Sequence, residues 1–112
     1  MTKVWFKLMN CTDTSRIYHY YPDCDESKES GIIVFEEGLF RLEKLAPDDV
    51  IYKFGIEELK HPYLPDIRKL TDEEMEKGCV YLTKYADCVM EKLFRDNKSG
   101  RVLSQGTAGY QD

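Results

Sequence analysis

The two histidines and four cysteines have the widest chemical scope in this 112-residue chain. His19 sits inside the run Arg-Ile-Tyr-His-Tyr-Tyr (16–21), and His61 precedes Pro62. Cys11, Cys24, Cys79 and Cys88 form no C-x-x-C pair, and neither histidine stands at a zinc-ligand spacing. A zinc site would have to be assembled from Cys11, Cys24, His19 and His61 across the fold. Scattered core thiols are the commoner arrangement, so no metal and no cofactor is expected. As a nucleophile Cys24 is poorly served: Asp23, Asp25 and Glu26 surround it with negative charge, which disfavours a thiolate. His19 would be its base, but no third, orienting group is legible.

Other chemistries fall on spacing. Glu36-Glu37, Asp48-Asp49 and Glu57-Glu58 are adjacent pairs, whose side chains usually diverge into solvent rather than converge on a substrate. Asp23-x-Asp25-x-Ser27 has the opening of a calcium loop, but Lys28 takes the place of its glycine and Val34 that of its bidentate glutamate. Neither phosphate-binding glycine motif occurs, and Gly106-Thr-Ala-Gly109 is too short to stand in for one. No catalytic residue is assigned.

Bulk properties narrow the partners. Sixteen basic against twenty-one acidic residues give a net charge of −5, which argues against binding through phosphate neutralisation and suits a basic partner. No apolar run approaches the roughly 20 residues of a membrane span. The first residues lack the apolar core of a signal peptide, so an intracellular, cytoplasmic protein with free thiols is expected, binding neither membrane nor nucleic acid directly.

The element expected to organise the chain is one long amphipathic helix over 71–97. Thr71-Asp-Glu-Glu74 reads as a capping box. Met75, Cys79, Leu82, Ala86, Val89 and Leu93 come after it at spacings of 4 and 3, one stripe on a helix. With Tyr81, Tyr85, Cys88, Met90 and Phe94 beside it, the non-polar arc spans roughly 200°, more than one flat sheet covers. Gly78 interrupts the pattern, and the alternative is a separate turn over 71–77 with the helix starting near Cys79.

Strands are read at 3–9, 16–21, 31–36 and 39–45, from alternation and β-branched or aromatic content. Glu37-Gly38 makes the tight turn between the last two. Ala46-Pro-Asp-Asp49 suits the start of a short helix ending at Gly55, with a turn at 56–60 and an extended stretch at 61–65 after it. The fold class is therefore α+β: an antiparallel meander of about four strands packed on one long C-terminal helix. Residues 1–97 form the domain and 98–112 a polar, mobile tail, with Val102 and Leu103 as a weaker edge-strand candidate.

This pattern points to a protein-binding, regulatory or inhibitor-like module without catalysis. Its interface candidates are Trp5, Tyr18 and Tyr20 on the sheet and Tyr81, Tyr85 and Met90 on the helix, since tyrosine and tryptophan concentrate at interfaces. The partner is another protein or a second copy docking on the wide helix face. The alternative is a small enzyme or ligand binder with a pocket between sheet and helix, formed by His19, Tyr21 and Cys24 with Tyr85. A third reading, mimicry of nucleic acid, requires carboxylates gathered on one face.

Overall fold

Four stretches rich in apolar, β-branched and aromatic residues favour extended backbone, and pairing buries one side of each. A computed structural model describes residues 2–55, 71–100 and 102–110. In it β1 (Thr2–Cys11), β2 (Ser15–Pro22), β3 (Gly31–Glu36) and β4 (Leu39–Lys44) form the expected antiparallel meander. Val4, Phe6, Tyr18, Tyr20, Ile33 and Phe40 turn inward and are buried. Phe6 meets Tyr18 edge-on, ring centroids 6.3 Å apart. Each such side chain contributes roughly 1.5–3 kcal/mol on leaving water.

A fifth strand joins this sheet. Gln105–Tyr110 (β7) pairs antiparallel with β1, giving the order β4-β3-β2-β1-β7. The polar tail expected from residue 98 onward is thus corrected over these six positions. Their sequence, Gln-Gly-Thr-Ala-Gly-Tyr, has no large apolar alternation to announce a strand. The reason lies across the ladder: Gly106 stands opposite Phe6 and Ala108 opposite Val4. A Cβ on Gly106 would lie 3.2 Å from the Phe6 ring, so this edge takes small inward residues.

The long helix is also corrected. Residues 71–97 divide into α1 (Asp72–Lys77), β6 (Cys79–Thr83) and α2 (Ala86–Lys98). The capping box forms as read: Thr71 Oγ1 accepts from the Glu74 N–H, and Glu74 accepts from the Thr71 N–H. Gly78 ends the helix at φ 65°, ψ 33°, a left-handed cap whose N–H donates to the Glu74 carbonyl. Val80-Tyr-Leu-Thr83 then extends and pairs antiparallel with β5 (Ile51–Gly55) as a second, two-stranded sheet. Met75 is 59% exposed, so the apolar stripe did not continue through this stretch. Gly78→Ala is expected to cost about 1 kcal/mol through its left-handed backbone alone, because nothing stands within 4 Å of the added methyl. Chemical denaturation measures this directly.

β5 replaces the short helix expected after Pro47. Val50, Ile51, Tyr52 and Phe54 favour a strand, and the Asp49 N–H closes a turn onto the Ala46 carbonyl at 3.0 Å. The expected turn at 56–60 and extended stretch at 61–65 lie outside the described residues, as does His61.

α2 closes the core. Ala86, Cys88, Val89, Met90 and Leu93 are buried with the inward residues of the sheet. Its apolar face is therefore occupied within the chain. The fold class stands as α+β, with a five-stranded antiparallel sheet and a helix of 13 residues in place of a long one. No described helix is long and apolar enough to cross a membrane.

Candidate functional site: an acidic cleft beside β4

Two buried carboxylates position the elements around the site. Asp49, in the turn before β5, accepts from the Tyr20 hydroxyl at 2.7 Å, the Val50 N–H at 2.8 Å, the Tyr85 N–H at 2.9 Å and the Ala86 N–H at 3.1 Å. It thereby caps α2 from 37 residues away. The Tyr20 hydroxyl also accepts from the Ala46 N–H at 2.9 Å. Glu74, 1% exposed, joins α1 to β6 by accepting from the Tyr81 N–H at 2.7 Å. Asp87 accepts from the Thr83 hydroxyl at 3.0 Å and from its N–H, while the Asp87 N–H donates back to Thr83 Oγ1 at 3.0 Å.

These contacts hold the β5–β6 sheet and α1 opposite β4, leaving a cleft of about 800 Å³. The β3–β4 hairpin forms one rim. Its turn has Glu37 at φ 55° and Gly38 at φ 80°, the type I′ geometry that suits strand twist. This places Glu36 and Glu37 at the cleft mouth. The first turn of α1, Thr71 to Glu74, forms the opposite rim. Between them lie Leu39, Phe40, Leu42, Ile51 and Met90, with Tyr81, Thr83 and Asp87 completing the wall. Glu36, Glu37, Asp72, Glu73, Glu74 and Asp87 face a single cation, Arg41, among the described lining residues. Glu74 and Asp87 serve backbone caps, whereas Glu36, Glu37, Asp72 and Glu73 are exposed. Glu73 also meets Lys77 at 2.8 Å, both well exposed, a pair that holds little energy.

The residues singled out from the sequence are dispersed. Tyr81 and Met90 line the cleft, though Met90 is buried at 2% exposure. Tyr18 and Tyr20 are not surface residues: they face α2 and are buried. Tyr85 is buried at the start of α2, and its hydroxyl donates to Asp23 at 2.8 Å. Burial, then Asp23, raises the Tyr85 pKa to about 12; burial likewise raises that of Tyr20. These phenols remain neutral donors at physiological pH. A strand reading sees two aromatic faces on β2 but not which one the helix covers.

Trp5 is half-buried on the opposite sheet face, across from Tyr21 on one side and Thr107 on the other. His19 and Tyr21 share that face, because strand side chains alternate and Tyr18 and Tyr20 point to the helix. The expected pocket between sheet and helix is thus corrected: His19 and Tyr21 face away from α2. His19 Nδ1 lies 3.0 Å from Ser30 Oγ, and burial, with Lys44 nearby, lowers its pKa. Cys24 lies just past β2 at φ 59°, its N–H donating to the Tyr21 carbonyl. Among the described residues no group of three or more His, Cys, Asp or Glu side chains is arranged to hold a metal ion.

The rim carboxylates read in sequence as a solvated pair at 36–37 and a capping run at 72–74; only the fold brings these two distant stretches, with Asp87, to one cleft. Comparison with known proteins adds no assignment: no protein-family model, curated protein or solved structure matches the chain.

Proposed function

We propose that this protein is a non-catalytic binding module whose acidic cleft takes a basic, apolar-bearing segment of a partner protein. The observation that carries this reading is the pairing of a carboxylate-rich rim with an apolar floor in one cleft. A lysine- or arginine-rich segment satisfies the rim, and apolar side chains between the cations fill the floor. Complementary charge steers such encounters and sets specificity. A concave, partly apolar cleft favours an inserted segment over the convex acidic surface that imitates a nucleic-acid duplex.

The test uses an eight-residue peptide of alternating lysine and valine, with its glutamate–valine counterpart as control, titrated at low salt. The basic peptide is expected to bind and the acidic one not. Glu37→Lys with Glu73→Lys, both exposed, is expected to weaken binding about tenfold, near the sum of two surface charge interactions, and raised salt to reduce it further. Unchanged affinity in the double variant would reject the cleft as the site.

A further inference from the structure

We infer that the occupant of this cleft binds as an added β-strand along the free edge of β4, an inference that rests on the basic-segment reading above. The sheet order ends at β4, so among the described residues one side of its backbone has no strand partner. The hairpin register identifies the groups on that side. A two-residue type I′ turn closes on a hydrogen-bonded pair, here Glu36 and Leu39. Pair types alternate along an antiparallel ladder. Phe35–Phe40 is therefore non-bonded, Val34–Arg41 bonded and Ile33–Leu42 non-bonded. The N–H and C=O of Phe40 and Leu42 point away from β3. Both residues line the cleft; Leu42 is half-buried and Phe40 buried, so the Leu42 groups are the more open of the two.

A guest strand would lie about 4.8 Å from β4 and take up these four groups. Its side chains alternate between two faces. One set lies over Leu42, Ile51 and Met90; the other reaches the rim carboxylates. The guest is thus an extended segment with basic and apolar residues at alternate positions. Arg41, Glu43 and Lys44 put charges of both signs on β4, which discourages pairing with an arbitrary neutral strand.

The experiment measures amide hydrogen exchange on the full, isotope-labelled chain with the alternating lysine–valine peptide. Exchange at Phe40 and Leu42 is expected to slow at least tenfold on binding. The same peptide N-methylated at its valines is expected to lose at least tenfold in affinity, and spermine, with charge but no backbone, to compete poorly. Leu42→Pro removes one outward N–H and is expected to abolish binding. A proline on a strand edge facing solvent is tolerated, and a dispersed amide spectrum verifies the fold. If the peptide binds in the cleft with Phe40 and Leu42 exchange unchanged, or spermine competes equally, strand addition is overturned while the basic-segment reading survives. If no basic peptide binds at low salt, both are overturned.

Discussion

Asp49→Ala is expected to destabilise the protein by about 4 kcal/mol, lowering its melting temperature by roughly 15–20 °C. The carboxylate accepts four hydrogen bonds, from Tyr20, Val50, Tyr85 and Ala86. Alanine supplies no acceptor. The Tyr20 hydroxyl and the first N–H groups of α2 would be left buried and unpaired, at about 1–3 kcal/mol each, partly relieved by entering water. Asp49→Asn keeps one acceptor oxygen but directs an NH2 group at donors, so an intermediate loss is expected. Thermal and denaturant unfolding of the two variants would give the ordering. A shift below about 4 °C for Asp49→Ala would show that α2 does not depend on this remote cap. Binding loss in this variant would report the collapse of the wall opposite β4, since Asp49 ties the turn before β5 to the start of α2.

Gly31→Ala is expected to cost about 3 kcal/mol, the upper part of the range for overpacking a core. Elsewhere in a strand the same change tends to stabilise, because glycine loses more backbone freedom on folding. Here the added methyl would collide with Cε1 on the hydroxyl-bearing edge of the Tyr20 ring and lie 2.7 Å from the hydroxyl oxygen. That ring is fully buried, and its hydroxyl is fixed between Asp49 and the Ala46 N–H. It has no direction in which to yield. A double-mutant cycle with Tyr20→Leu tests this cause. With the ring removed, the cost of Gly31→Ala is expected to fall below about 1 kcal/mol. An unchanged cost would place the strain in the β3 backbone instead. Gly31 and Asp49 both act through Tyr20, so their effects are not expected to add.

Such dependence on one residue marks the boundary between what the chain states locally and what it leaves to assembly. Local sequence suffices for the four-stranded meander, because alternation at 3–9 and 39–45 and the apolar, β-branched and aromatic runs at 16–21 and 31–36 are written residue by residue, and Glu37-Gly38 allows the two positive φ angles of its turn. It also determined the capping box at Thr71 and Glu74, whose bonds span only three residues. It signalled the break at Gly78, but its helical spacing put the next five residues in a helix on either reading, and they form a strand instead. Cys79–Thr83 carries apolar residues at helical spacing and β-forming types together, and pairing with β5 tips that balance. Tertiary structure alone made Gln105–Tyr110 a strand, because its small residues gain meaning only beneath Phe6 and Val4. It alone chose the buried face of β2, hiding Tyr18 and Tyr20 and turning His19 and Tyr21 outward. The cleft belongs to the same class: its carboxylates come from β3, the hairpin turn, α1 and α2. No period in the sequence records their convergence, since bonds such as Tyr20 to Asp49 and Asp49 to Ala86 join residues 29 and 37 positions apart.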